Sequence, residues 1–190
     1  MKVRHLNLAG ALVFIGAAEF LIFMMVSEAI YPDYSIAHDA ISALGVGLTS
    51  YIFNLSIILF GALIIVASYL IEKSTKDKLM STFLFLFGIG TCSVGIFPGT
   101  VRFEHMVAAM TAFVFGGLSA IASYRATKPP FSYISIMLGI VSLFSLFVAP
   151  FFHIASVIGS GGAERMVVYP ILVWALGFGA YLMSRAEAIG

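Results

Sequence analysis

The stretch Leu8–Ile30, LAGALVFIGAAEFLIFMMVSEAI, decides the class of the fold. A helix that crosses a bilayer needs roughly 20 predominantly apolar residues, and this run has that length with only Glu19 and Glu28 interrupting it. It does not read as a cleavable signal peptide. It is too long, carries Glu19 in its middle and lacks a convincing small-residue cleavage site. Five further runs of spanning length follow, near Leu48–Ile71, Met80–Phe97, Met106–Ser123, Phe131–Ala149 and Met166–Met183. Composition agrees: the 190 residues are 61% hydrophobic and 10% charged, whereas soluble domains average less than half apolar and about a quarter charged. The expected architecture is an all-α polytopic membrane protein, with residues 1–190 forming one domain of six transmembrane helices.

Charge placement orients the bundle. Lys2, Arg4, Lys73, Lys76, Lys78, Arg125, Lys128 and Arg185 fall at the amino terminus, the second and fourth connections and the carboxyl terminus. Only Arg102 and Arg165 fall on the other side. The positive-inside rule then places both termini in the cytoplasm of a multi-pass cell-membrane protein. A net charge of +1 gives no sign of a nucleic-acid partner. The single cysteine, Cys92, excludes an internal disulfide and a cysteine metal cluster. Protein partners are not specified by any feature of the chain.

After the first run comes Tyr31–Leu44, YPDYSIAHDAISAL, which packs Asp33, Ser35, His38, Asp39 and Ser42 between two long apolar runs. Ser35 is an acceptable N-cap, and nothing from Ile36 to Leu44 breaks a helix. At about 100° per residue, Ile36, Ala37, Ala40, Ile41 and Leu44 share one arc, and Ser35, His38, Asp39 and Ser42 share the opposite one. The pattern predicts a short amphipathic interfacial helix bordered by Tyr31 and Tyr34. Its polar face lies either in water or over the mouth of the bundle.

Two acids sit in the first span. Glu19 falls roughly 16 Å below its outer end, at 1.5 Å per residue, close to the bilayer centre. An ionisable group there must face protein or be protonated; it is either a proton or cation site or a neutral, hydrogen-bonded acid. Glu28 is near enough to the interface to join the polar stretch. In the fourth span Ala108, Ala112, Gly116 and Ala120 recur every four residues, a stripe that lets helix backbones approach and reads as structural. Gly159, Gly161 and Gly162 predict a mobile or tightly folded loop before the last span.

Each outer connection pairs a proline with a following histidine: Pro32 and His38, Pro98 and His105, Pro150 and His153. The same face holds Glu28, Asp33, Asp39, Glu104, Glu164, Arg102 and Arg165. Three chemistries use such groups. His38, His105 and His153 form the donor set of a catalytic zinc site, with Asp39 as fourth ligand or general base and Ser35 or Ser42 as a supporting donor. Alternatively, two histidines on different helices ligate a haem whose propionates pair with Arg102 and Arg165. In the third reading, Arg102 and Arg165, beside Glu104 and Glu164, bind the phosphate or carboxylate of a membrane lipid. A purely structural alternative is a salt-bridged cap sealing the loops together. Ser35, His38 and Asp39 lie on one arc and make a poor triad, because the base must stand between nucleophile and acid. No HExxH, phosphate-binding glycine loop or dinucleotide fingerprint occurs.

Three motifs carry a likeness: YPDYSIAHDAISALG after the first span, GIFPGTVRFEHMVAAMTAF around the third-to-fourth turn and GGAERMVVYPILVW entering the last span. In them the chain resembles a prokaryotic six-span integral membrane family, domain of unknown function 998. That resemblance implies an integral membrane protein and no particular activity. The chain is also loosely similar to intramembrane hydrolases that hold zinc through histidines of several helices and act on lipids. Those enzymes carry a paired HxxxH on a late helix, whereas His153 stands alone. The leading expectation is a metal-dependent hydrolase or lipid-modifying enzyme at the outer leaflet. The alternatives are a haem-binding electron carrier and a non-catalytic lipid-binding or transport protein.

Overall fold

The computed structural model describes residues 2–187 and shows six α-helices and no strand among them. They are α1 (Lys2–Ile30), α2 (Ser50–Thr75), α3 (Lys78–Ile96), α4 (Arg102–Ala122), α5 (Phe131–Phe147) and α6 (Ile154–Glu187). Five segments are long and apolar enough to cross a membrane: Val3–Ile30, Gly47–Thr75, Lys78–Ile96, Arg102–Arg125 and Ala155–Arg185. α5 is apolar but shorter. Its 17 residues rise about 26 Å, less than the ~30 Å hydrocarbon core. The sequence pattern runs on to Ala149, but Pro150 disfavours helix in the residue before it and supplies no N–H of its own.

α1 packs on α2 and α6, α3 on α2 and α4, and α5 fills the side between α4 and α6. Close approach is made possible by absent side chains. A Cβ on Gly61 of α2 would lie 2.6 Å from the carbonyl oxygen of Gly88 on α3, and one on Gly10 of α1 would lie 2.6 Å from that of Gly179 on α6. Ala108, Ala112, Gly116 and Ala120 are all buried, as the small-residue stripe of α4 predicts. Some polar groups inside tie helices together: Trp174 Nε1 donates to Ser123 Oγ at 3.0 Å, and Ser142 Oγ to the Val167 carbonyl at 2.9 Å. The girth shows the reverse of a soluble bundle, with side chains such as Leu55 (67% exposed) and Val173 (56%) pointing outward.

Two connections differ from expectation. The segment after α1 is not an amphipathic helix; it is a run of turns closing on a 3-10 helix, Ile41–Gly45. Two physical causes are visible. The Ser35 N–H donates to Asp39 Oδ2 at 2.7 Å and the His38 N–H reaches Ser35 Oγ at 3.3 Å, local bonds that compete with helix. Moreover, the carbonyls of Ile36, Ala37, His38 and Asp39, which a helix would use internally, all accept bonds from α6. The second difference is the glycine segment before the last span. It is helical from Ile154, broken only at Gly159, whose φ of 80° and ψ of 164° lie outside the helical region.

Candidate functional site

The polar site lies at the end of the bundle opposite the termini. α1 delivers Glu28 to it, the following turns deliver Tyr34, and α6 delivers Glu164 and Arg165. Arg165 is the centre, a cation only 5% exposed. Its Nη2 donates to Glu28 Oε1 at 2.5 Å and to the Tyr34 hydroxyl at 2.8 Å. Its Nη1 donates to the carbonyls of Ile36 (2.8 Å), Asp39 (3.1 Å) and Gly161 (3.0 Å). The guanidinium also lies over the Tyr34 ring, 5.6 Å from its centroid. Only Nε is buried without a partner. The Tyr34 hydroxyl carries the chain of bonds onward by donating to the Ala40 carbonyl at 3.0 Å. Burial holds the Tyr34 phenol above its ordinary ionisation range, opposed by the hydrogen bond and charge of Arg165.

Glu164 works on the neighbouring segment. The 3-10 helix Ile41–Gly45 begins at Ala40, which offers no capping side chain. Glu164 Oε2 supplies the cap from another helix, accepting the Ile41 N–H at 2.7 Å, and the Ser42 N–H also reaches the carboxylate. Unpaired N–H groups at a helix start favour such an acceptor. Gly162 N–H and Ser160 Oγ bond the Ala37 and His38 carbonyls. Together these contacts fasten residues 34–42 across the bundle mouth as a cap.

Beneath the cap lies a cavity of about 50 Å³ between α1, α2, α3, α4 and α6. Phe20, Phe53, Phe60, Phe87 and Phe113 line it, and Ile41, Ser42 and Glu164 lie at its capped end. Its volume is about a third of the roughly 150 Å³ engineered apolar cavity that binds benzene and stays dry.

The histidines are deployed differently from the zinc expectation. His38 and His153 are exposed. The Nδ1 of His105 lies 2.7 Å from the Phe97 carbonyl, so that nitrogen carries the proton and donates. Among the described residues no group of three His, Cys, Asp or Glu side chains is placed to hold a metal ion. The Asp39 carboxylate bonds the Ser35 N–H of its own turn. Arg102 and Glu104 are exposed in the first turn of α4. The structure thus gathers Glu28, Glu164 and Arg165 around one backbone segment and leaves Arg102 and Glu104 outside that network. Glu19 Oε2 accepts from Ser56 Oγ of α2 at 2.8 Å, and its Oε1 is buried without a partner. Tyr34, read from sequence as an interfacial ring, proves to be part of the ionic core. Nothing in local spacing links it to a residue on the last helix.

A helical bundle with an apolar girth and several spanning helices is a multi-pass integral membrane protein. The chain belongs to the family described as Protein of unknown function (DUF998), which matches residues 14–181. No curated protein and no solved structure matches it.

Proposed function

We propose that this protein is a non-catalytic membrane protein that holds an apolar, lipid-like ligand between its helices, closed off by the cap at the end away from the termini. The observation that carries this reading is the phenylalanine-lined cavity directly beneath a cap whose ionic groups are engaged in holding backbone. A catalytic carboxylate or cation needs an open coordination or hydrogen-bonding position facing a substrate. Glu28 Oε1, Glu164 Oε2 and both terminal nitrogens of Arg165 are engaged by the chain itself. The cavity, at about 50 Å³, is smaller than a lipid chain, so occupancy requires the helices or the cap to move apart, and binding energy comes from van der Waals packing of the ligand against the phenylalanine rings.

Native mass spectrometry of the detergent-purified protein tests this, with lipid extraction to identify adducts. One apolar molecule per protein is expected, surviving detergent exchange. Val168→Phe and Phe113→Trp, which add bulk at the cavity wall, should reduce that occupancy with the fold retained. An identical adduct in both variants, or none in the wild type, would refute the reading.

A further inference from the structure

The opposite end of the bundle, where α1 begins and α6 ends, holds a larger cavity of about 430 Å³. Val3 and Leu6 of α1 form an apolar wall, Ser74 and Thr75 close the end of α2, and Arg125 and Arg185 bring two guanidinium groups to the same space. Each arginine is anchored by part of its fork. Arg125 Nε donates to Asp77 Oδ2 at 2.7 Å, with Tyr124 also in hydrogen-bonding range, and Arg185 Nη1 donates to the Ala126 carbonyl at 2.7 Å. A guanidinium carries five N–H donors, so these bonds fix the position of both groups while using a minority of their donors. Asp77 is the acid in this lining. Its two oxygens are engaged, Oδ1 accepting the Met80 N–H at 3.2 Å as cap of α3 and Oδ2 accepting from Arg125.

We propose that this cavity is a site for a phosphate group, the headgroup phosphodiester of an anionic phospholipid, held between Arg125 and Arg185 with the lipid's glycerol and first acyl carbons against Val3 and Leu6. Planar guanidinium forks match phosphate oxygens in a bidentate manner that ammonium groups do not. Among the described residues of the lining, two arginines face one carboxylate. The wider field points the same way, because eight of the chain's ten lysines and arginines fall in the segments at this end, and basic pockets between helix ends are where anionic headgroups bind. The site is independent of the cavity beneath the cap and shares no residue with it.

The test uses full-length protein in nanodiscs of phosphatidylcholine doped with phosphatidylglycerol, with retained lipid counted by native mass spectrometry after release. Retention of phosphatidylglycerol over phosphatidylcholine is expected, and Arg185→Gln should lower it about tenfold, the loss of one charge-assisted contact. Arg185→Gln leaves the Asp77–Arg125 pair intact, so it remains informative if Arg125→Gln fails to fold. Arg185→Lys, which keeps charge and loses the fork, should fall between. Lys128→Gln removes an exposed charge outside the lining and should change nothing. Inorganic phosphate at millimolar concentration distinguishes the source: no displacement assigns a lipid phosphodiester, and displacement assigns the same site to free phosphate. Equal retention of the two lipids, unchanged retention in Arg185→Gln, or an equal loss in Lys128→Gln would overturn the site in favour of none or of diffuse attraction.

Discussion

At the scale of single residues the cap depends on Arg165. It is a buried cation whose charge is answered by Glu28 and whose geometry is fixed by three carbonyls and a phenol. Breaking a buried pair from one side leaves the other charge uncompensated, at a cost of about 3–5 kcal/mol. Arg165→Ala should therefore lose stability on that scale in a thermal or denaturant unfolding series in detergent. Arg165→Ala combined with Glu28→Gln should recover part of the loss, and independent, additive effects would contradict the pairing. Tyr34 adds a pH dependence. Burial raises its ionisation range above the ordinary value of 10.0, so the native state holds the phenolic proton more tightly than the unfolded chain. That contribution is complete below about pH 10 and falls away as pH rises through the higher native value. Unfolding midpoints measured from pH 8 to 11.5, a range bracketing the phenol, should show an alkaline decline that Tyr34→Phe reduces. The sequence exposed half of this arrangement. Arg165 stands out because it defies the charge bias of its side, and Glu28 because it sits at a span end. Their pairing, and the recruitment of Tyr34, depend on α6 returning to the end of α1, a long-range event that no local spacing encodes.

At the scale of elements, the helices were legible and the connections were not. Apolar runs of spanning length leave the backbone no choice but internal hydrogen bonding, so the spans near Leu48–Ile71 and Met80–Phe97 reappear as α2 and α3 with small shifts at their ends. The stretch Tyr31–Leu44 has a valid helical wheel and still forms turns, because its carbonyls are taken by Gly162, Ser160 and Arg165. Tertiary acceptors and donors outweigh propensities of a few tenths of a kcal/mol per residue. The zinc expectation rests on His38, His105 and His153 sharing a side with carboxylates, and among the described residues no three such side chains are placed to hold one ion. Two changes test how α6 holds the cap. Glu164→Ala removes the acceptor for the Ile41 N–H and should cost roughly 0.5–2 kcal/mol, the range for a lost helix cap. Hydrogen exchange at Ile41 and Ser42 should accelerate while α2 stays protected. Gly159→Ala should cost more than an ordinary helical substitution. At φ 80° an L-residue is strained, and the new Cβ would run into the Ala37 carbonyl. A Gly159→Ala protein as stable as wild type would mean that the helix break and the cap are uncoupled.

At the scale of the whole molecule, the bundle has two unlike ends. One is closed by a cap that uses buried ions to hold backbone; the other gathers helix ends, basic residues and a larger cavity. The positive-inside bias is the ground for proposing that the second end lies in the cytoplasm, and the direction in which the cap faces would follow from it. Single-cysteine labelling decides the point. The native Cys92 is partly buried with its Sγ 3.3 Å from the Ile58 carbonyl, so Cys92→Ala provides a background in which only introduced thiols report. Thr100→Cys lies at the capped end and Lys128→Cys at the other, and both positions are exposed. A membrane-impermeant maleimide added to intact cells should label the first, and should label the second only after permeabilisation. The reverse pattern would turn the bundle over, placing the cap in the cytoplasm and the two arginines of the larger cavity outside. Labelling of both positions in intact cells would mean dual insertion, which an eight-to-two distribution of basic residues disfavours. On the orientation expected from the charge asymmetry, labelling of Thr100→Cys alone in intact cells would put the ionic cap in the outer medium and Arg125 and Arg185 at the cytoplasmic leaflet, where the proposed headgroup site requires them.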